Sequence, residues 1–216
     1  MESSEALRPG PSLPPLFRGE AAAGDPLPHA VRRAREGIDP GLVVHRVTAE
    51  ALSAAIVLAP EAPLEDAMAM ALAAANGFAD AFGALAPSEV AAQFDWPGGF
   101  RINGARCGGL RAAASTRDPE AEPDWLVIAI EVPFDAPPEG EPGETPDRTT
   151  LREEGCGEIE PMRLLESWAR HFLVSVHEWL DAGIGRLHQD WRGRAFALGE
   201  EVEVALPGER LTGKFI

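Results

Sequence analysis

The residues with the clearest chemical potential lie in one glycine-rich segment, Asp95 to Leu110, which reads DWPGGFRINGARCGGL. In it, the pairs Gly98-Gly99 and Gly108-Gly109 flank Asn103-Gly104. Asn-Gly is a strong signal for a hairpin, because both residues tolerate the positive φ angles of a type I′ turn. Glycine weakens a strand, so glycines beside such a turn indicate either a bulge or a ligand that approaches the backbone closely.

Aromatic and basic side chains accompany this hairpin. Trp96 offers a flat surface on which a ligand can stack, and three arginines offer forked donors for an anion: Arg101, Arg106 and Arg111. Together they predict a pocket for a carboxylate, a phosphate or a nucleotide. An irregular hairpin with a core tryptophan would have the same composition, and composition alone favours neither interpretation.

The surrounding elements predict the fold that positions the hairpin. Apolar and alternating runs predict strands at Leu42–Val47, Ala55–Leu58, Val90–Trp96, Gly99–Asn103, Cys107–Ser115 and Trp125–Phe134. Helical spacing predicts helices at His29–Arg35, Leu64–Leu85 and Pro161–Gly183. Strands joined by tight turns point to a mixed, mainly antiparallel sheet packed with helices, an α+β domain.

Three segments lie outside this predicted domain core. Residues 1–16 are rich in Pro, Ser and Gly and are predicted to be a disordered tail, and the domain is expected over 17–194. The acidic Pro/Gly stretch at 135–147 is interpreted as a solvated insertion. Residues 195–216 contain a predicted hairpin, which we interpret as the start of a small C-terminal β-domain that is cut short.

Composition excludes several function classes. The formal net charge is -16 and there is no dense Lys/Arg run, so neither a nucleic acid nor an anionic membrane surface is an expected partner. No apolar run is long enough to span a bilayer, and the N-terminus does not resemble a signal peptide, so we expect a cytoplasmic protein. The two cysteines form neither a disulfide framework nor a metal spacing.

The positive charge is carried almost entirely by arginine, since Lys214 is the only lysine. Richness in Ala, Gly, Pro and Arg indicates a G+C-rich, bacterial genome, in which surface lysines are readily exchanged for arginine. A lysine that does chemistry is not expected to be exchanged in this way, because arginine cannot lose its proton and has a different donor geometry.

Other candidate sites are better explained by structure. Cys107, beside an arginine, is predicted to be a buried and inert cysteine rather than a nucleophile, and Cys156 has acidic neighbours that raise a thiol pKa. His171 and His177 are six residues apart on a helix and do not share a face, so no metal site is predicted. Glu153-Glu154 is interpreted as part of a solvated acidic approach to a helix.

The hairpin resembles the signature of the biotin/lipoate protein ligase catalytic-domain family, in which Lys-Trp-Pro-Asn-Asp leads to a hairpin and then to Lys-x-x-Gly-Ile-Leu. The match runs through Trp96-Pro97, the Asn103-Gly104 turn and Gly108-Gly109-Leu110. Val127–Val132 resembles the central strand of the family, and Thr149-Thr150-Leu151 resembles its step into the last long helix. The resemblance implies a fold related to that of class II aminoacyl-tRNA synthetases. A small β-barrel would follow this fold, and the terminal hairpin would be its first part.

This sequence departs from the family pattern at the hairpin itself. The family lysine that contacts the acyl carboxylate and the adenylate α-phosphate corresponds to Arg106. The lysine before Trp-Pro corresponds to Asp95, and the Asn-Asp pair to Gly98-Gly99.

Further departures lie outside the hairpin. The arginine- and glycine-rich loop that closes over biotinyl-adenylate in the family is absent, because the nearest region, Thr48 to Pro63, holds neither residue type. Ala129 and Glu131 replace the strand glycines, and Pro133 replaces the asparagine that follows them.

The resemblance implies a set of site residues and ligands. It implies that Arg106 occupies the catalytic position and holds an anion with Arg111, in a pocket shaped by Trp96, Gly98, Gly99, Asn103, Gly108 and Gly109. The implied ligands are ATP with biotin, lipoate or octanoate, and the implied partner is a biotinyl or lipoyl carrier domain. The departures leave three hypotheses: a ligase-like binder of a carboxylic acid or its acyl-adenylate with a degenerate site, a catalytically silent acyl-ligand sensor or interaction module, and a cofactor acyltransferase that needs no adenylation.

Overall fold

A computed structural model describes residues 10–37, 40–135, 147–206 and 209–216. Its strands are β1 (Arg18–Ala21), β2 (Leu42–Val47), β3 (Ala51–Leu58), β4 (Ala92–Asp95), β5 (Gly99–Ile102), β6 (Ala105–Ala114), β7 (Leu126–Pro133), β8 (Glu201–Leu206) and β9 (Glu209–Lys214). Its helices are α1 (Pro26–Arg35), α2 (Leu64–Ala67), α3 (Ala69–Gly83), α4 (Pro161–Ala182) and α5 (Ile184–Gly193). The first seven strands form one sheet in the order β1-β2-β3-β7-β6-β5-β4.

The sheet is mixed and mainly antiparallel, as the sequence predicts. β1 runs parallel to β2, and the other neighbouring pairs in this sheet are antiparallel. Asn103 and Gly104 join β5 to β6 with φ angles of 50° and 90°, the positive values of the predicted type I′ turn. Both the fold class and the central turn of the candidate site are therefore confirmed.

Helices α3 and α4 cover one face of the sheet. Their buried side chains, among them Phe78 and Trp168, form a core with Ile128 and Ile130 of β7. The two helices approach closely at Gly77, where a Cβ would lie 2.7 Å from the Phe172 backbone nitrogen. Side chains of both helices thus belong to the larger of the two hydrophobic cores, which packs against this face of the sheet.

Helix α1 covers part of the opposite face. Ala30 and Ala34 pack on a second core that includes Val44, Ala55 and Val127. Successive residues of β7 point to opposite faces, so burial on both sides explains the continuous apolar run in this strand.

The predicted helix Leu64–Leu85 is wrong in its continuity, since it breaks at Met68 into α2 and α3. The Leu64 and Glu65 N–H groups, at the start of α2, donate to the carbonyls of Ala121 and Pro119. These bonds hold the short first helix to a neighbouring loop. The predicted strand Ala55–Leu58 is also too short, since β3 begins at Ala51.

Two elements have no counterpart in the predictions. β1 (RGEA) is a short edge strand with no apolar alternation, and its backbone pairing with β2 defines it. α5 follows Gly183, whose φ of 74° ends α4, and it buries Leu187 and Trp191 one helical turn apart. The four-residue spacing of Leu187 and Trp191 could have predicted α5 from the sequence, whereas the residues of β1 contain no comparable signal.

The first residues that the structure describes contact the helices and core of the main domain. Residues 1–9 of the predicted tail and 136–146 of the predicted insertion lie outside the described residues. The Ser12 N–H donates to the Glu166 carboxylate at 2.7 Å, and Leu13 packs against the main core. β8 and β9 form a separate two-stranded sheet, and no closed barrel is present in the described part of the chain. The domain boundaries at 16 and 194 stay a prediction.

Candidate functional site

The candidate site is built on two consecutive hairpins, β4–β5 and β5–β6. Phe94 and Phe100 are fully buried and anchor the first hairpin in the core, where Phe100 stacks on Phe78 at 4.1 Å. Between the two strands, the chain turns at Trp96-Pro97-Gly98, and the Trp96–Pro97 peptide bond is cis. The core therefore holds the frame of the site while the turn lies at the surface.

The glycines of the site are required by close backbone packing. A Cβ at Gly109 would lie 2.6 Å from the Gly98 carbonyl oxygen, and a Cβ at Gly99 would lie 2.8 Å from the Asp95 Cβ. The Leu110 N–H donates to the same Gly98 carbonyl at 2.6 Å, and the register shifts between Gly99 and Arg101. Of the two explanations that the sequence allows for these glycines, the structure provides a bulge and strand packing.

Gly108 has a separate requirement. Its φ is +86°, in the left-handed region that favours glycine, and a Cβ there would overlap the Glu131 carbonyl oxygen on β7. Only glycine fits at position 108, where the backbone of β6 lies against that of β7.

Asp95 holds the two arginines nearest to it. Its Oδ2 accepts from Arg101 Nη2 at 2.8 Å and from Arg106 Nε at 3.1 Å. Arg101 is largely enclosed: its side chain is 13% exposed, it donates to the Gly104 carbonyl, and it stacks over the Phe196 ring at 4.1 Å. The Arg106 side chain is 56% exposed. Arg101 is thus a structural cation, and Arg106 is the accessible one.

The space below Trp96 is filled on one side by aromatic side chains. The Trp96 ring is 54% exposed and meets Trp191 edge-on, with 5.8 Å between ring centroids. Trp191 is buried and stacks on Phe94 at 5.9 Å. A ligand at this position can therefore contact only the outward surface of Trp96.

Asn103 uses both ends of its amide to hold the turn. Its Oδ1 accepts from the Ala91 N–H at 3.1 Å, and its Nδ2 donates to Glu154 at 2.7 Å. Glu154 also accepts from the Thr149 hydroxyl at 2.7 Å, and Glu153 accepts from the Thr150 N–H at 3.0 Å. Glu154 therefore tethers the hairpin to the segment before α4. Glu153 is exposed, as its interpretation as a solvated residue predicts, and it binds Thr150 of its own segment.

Arg111 does not point at the same place as Arg106. Its guanidinium binds the Asp25 carboxylate through two hydrogen bonds of 2.8 Å, and Glu131 lies 3.8 Å away. Asp25 also caps α1 by accepting from the Leu27 N–H. The Arg111 hydrogen bond holds the pKa of Asp25 below its usual range. Sequence reasoning missed Asp25, although Asp-Pro at a helix start is a recognisable capping signal.

The sequence and the fold agree with one family of known proteins. The family model of the "Biotin/lipoate A/B protein ligase family" matches residues 13–193. The chain belongs to this family.

Solved structures give the same result for the fold. A crystal structure described as a biotin protein ligase-like protein of unknown function, from a Silicibacter species, is 49% identical, with a TM-score of 0.86 over 95% of this chain and 88% of that one. Biotin protein ligase from Aquifex aeolicus in complex with biotin and ATP is 18% identical, with a TM-score of 0.67 over 92% and 84% of the two chains. The Leishmania major enzyme in complex with biotinyl-5-AMP is 18% identical, with a TM-score of 0.58 over 91% and 87%. No protein with a curated description matches the chain.

The connection between β2 and β3, which the resemblance matches to the family's arginine- and glycine-rich loop, is a tight turn. Only Thr48, Ala49 and Glu50 join β2 to β3. The Thr48 N–H donates to the Ala51 carbonyl at 3.0 Å, and the Thr48 hydroxyl oxygen accepts from the Glu50 and Ala51 N–H groups. This connection is too short and too well hydrogen-bonded to cover a ligand.

Ala129 and Glu131, which the resemblance matches to strand glycines of the family, lie on β7 beside the hairpin. Ala129 is buried under α1. Glu131 pairs with Gly109 on β6 and with Ser53 on β3, and its carboxylate is 60% exposed. A carboxylate therefore stands at a place where glycines would leave the backbone open to a ligand.

Neither cysteine of this family member is a nucleophile. Cys107 is fully buried, and burial together with nearby Glu154 raises the pKa of its thiol to about 12. Burial also raises the pKa of the Cys156 thiol. Both side chains are neutral thiols near neutral pH, as the sequence predicts for Cys107.

Three histidines make local contacts or are buried within the fold. His171 and His177 each place Nδ1 against a carbonyl of their own helix, at 2.9 and 2.8 Å. His45 is buried on β2, and desolvation lowers its pKa.

No helix among the described residues has the length and hydropathy that crossing a lipid bilayer requires.

Proposed function

We propose that this chain binds a small carboxylic acid at the Trp-Pro hairpin and does not activate it as an adenylate. The observation that carries the proposal is the ion pair between Arg106 and Asp95. Arg106 stands at the position of the family lysine, and Asp95 stands at the position of a second lysine. A guanidinium that already faces a carboxylate offers less positive charge to a developing mixed anhydride than a free ammonium does.

Two further features favour binding without chemistry. The three-residue connection between β2 and β3 leaves an adenylate exposed to water, which closing loops normally prevent. Glu131 adds a negative charge beside the hairpin, and this charge opposes the phosphates of ATP. The proposal therefore favours a silent acyl-ligand sensor over a ligase with ATP and a carrier domain as its substrates.

Arg106 keeps the means to hold a carboxylate. Only its Nε is hydrogen-bonded to Asp95, and its two terminal nitrogens form no hydrogen bond with any other residue that the structure describes. The exposed surface of Trp96 lies in the same hairpin. A guanidinium edge with two free donors matches the two oxygens of a carboxylate.

The state of the cysteines argues against an acyltransferase that forms a cysteinyl thioester. Cys107 and Cys156 are both buried, and burial raises the pKa of each thiol.

Binding and turnover test the proposal together. Calorimetry would measure biotin, lipoate, octanoate and a non-hydrolysable ATP analogue with the wild type, Arg106→Ala and Arg152→Ala. Arg152 is a matched control, since it is 55% exposed and binds Asp135 through Nε at 2.9 Å. We expect one of the acids to bind the wild type and Arg152→Ala equally and to bind Arg106→Ala about tenfold more weakly or worse.

The same proteins would be assayed for pyrophosphate release and for modification of a carrier domain. We expect neither from the wild type. Pyrophosphate release that Arg106→Ala abolishes would establish a ligase, and carrier modification from an acyl donor without ATP would establish a transferase. Failure of every acid to bind the wild type would remove the proposed function altogether.

A further inference from the structure

A groove of about 520 Å³ lies between α1 and β6. None of the residues that line it belongs to the Trp-Pro hairpin. Its apolar surface comes from one face of α1, through Leu27, Pro28 and Val31, and from Ala113 of β6. Val31 lies about one helical turn from both Leu27 and Pro28, so the three side chains form a continuous strip. The volume falls within the range of roughly 300–1,000 Å³ that is typical of small-molecule sites.

Two cations stand at the other end of this strip, in a chain whose net charge is -16. Arg35 forms no ion pair with any described residue, and its guanidinium lies 5.9 Å from the Trp125 ring centroid. Glu36 also lines the groove. Its carboxylate lies 3.2 Å from Arg33 and 3.9 Å from Arg32, so Arg33 is its nearer partner. The helix dipole favours basic residues in a last turn, so their presence alone identifies no site. Their position beside an open apolar groove is the additional observation.

Two charged residues close to the groove, on α1's N-terminal side and on β6, are already paired with each other. Asp25 and Arg111 satisfy each other through two hydrogen bonds. Arg32 and Arg35 are therefore the cations that remain available to an anion in this groove.

We infer that this groove binds an aliphatic monocarboxylate, with its chain against Leu27, Val31 and Ala113 and its carboxylate at Arg32 and Arg35. A neutral apolar ligand would leave the arginines uncompensated. A polyanion would find only a short cationic edge on a strongly acidic protein. This site is separate from the function proposed above, because it shares no residue with the hairpin.

The full chain, labelled with ¹⁵N, would be titrated with sodium decanoate below its micelle concentration. We expect saturable shifts of the Val31 and Ala113 amide resonances. In calorimetry, the double variant Arg32→Gln/Arg35→Gln should bind decanoate about tenfold more weakly or worse. The control Arg186→Gln/Arg210→Gln, which removes the same charge from exposed arginines elsewhere, should bind like the wild type.

A second variant tests the apolar part of the groove. Ala113→Leu fills the space while leaving both arginines in place, and it should also weaken decanoate binding. Decanol, which lacks the charge, should bind the wild type more weakly than decanoate does.

The outcomes separate this inference from the hairpin proposal. Decanoate binding that survives in the groove variants but is lost in Arg106→Ala would overturn the groove site and support the hairpin. Equal loss in the groove variant and its charge control would reduce the effect to overall charge and overturn the inference. No saturable shift at Val31 or Ala113 would also overturn it, whatever the hairpin binds.

Discussion

The Arg111 guanidinium donates two parallel hydrogen bonds of 2.8 Å to the Asp25 carboxylate, and this pair joins the start of α1 to the middle of β6. Asp25 has a second role, because its Oδ1 also accepts from the Leu27 N–H and caps the helix. An arginine predicted to hold a ligand anion is thus engaged by an anion of the protein itself.

We expect Asp25→Ala to be more destabilising than Arg111→Ala. Both side chains are more than a third exposed, so solvent screening limits the ion pair to about 0.5–1 kcal/mol. Loss of the cap adds about 1 kcal/mol for Asp25→Ala alone. Urea unfolding of both variants and of the double variant gives the interaction energy. Equal costs for the two single variants, or strictly additive costs in the double variant, would contradict this assignment.

Gly108→Ala should be far more damaging than Gly104→Ala. The two glycines have nearly the same φ, 86° and 90°, so backbone strain is matched. A Cβ at Gly108 overlaps the Glu131 carbonyl oxygen, whereas a Cβ at Gly104 meets nothing closer than 3.9 Å. We expect a cost of about 1–2 kcal/mol at Gly104 and more than about 3 kcal/mol at Gly108. Thermal melts compare them directly, and similar melting temperatures would show that β7 can yield at this point.

Neither cysteine should react in the folded protein. The pKa of Cys107 is raised to about 12 and that of Cys156 is raised as well, so the thiolate is scarce near pH 8, and burial blocks access. Iodoacetamide labelling followed by mass spectrometry should give no adduct in buffer and two adducts in guanidinium. Rapid single labelling of native protein would return the acyltransferase hypothesis to consideration.

His45 should make the protein less stable in mild acid. Burial lowers its pKa in the folded state below the ordinary value of 6.5, so the unfolded chain binds the proton more readily. Stability attributable to this residue is therefore complete above pH 6.5 and declines as the pH falls towards the folded-state pKa. Denaturant midpoints measured across this window should fall less steeply for His45→Gln than for the wild type. Parallel profiles would show that carboxylates alone set the acid dependence.

Local signals in the sequence were sufficient for part of the fold. β2 matches its predicted bounds, and α4 ends at the residue before Gly183, as its apolar spacing and the glycine predict. The Asn103-Gly104 turn follows from the conformational preferences of two adjacent residues. β1 was missed because its stability comes from pairing with β2, which lies more than twenty residues further along the chain.

The candidate site was predictable only in outline. The resemblance implies that Asp95 and Arg106 replace family lysines, but the ion pair between them depends on the hairpin that brings them together. The contact between Asp25 and Arg111 spans 86 residues and has no local signal at the arginine. The sequence singles out the glycines, but only the neighbouring strands reveal that protein atoms occupy the space beside them.

The segment after α5 also covers one edge of the main sheet. The Phe94 N–H donates to the Arg194 carbonyl at 2.9 Å, and the Phe94 carbonyl accepts from the Phe196 N–H at 2.8 Å, so the outer edge of β4 is already paired. An unprotected edge strand invites a strand from another molecule. At β4, residues 194–196 occupy that place, and a second chain could extend the sheet there only after this segment had detached.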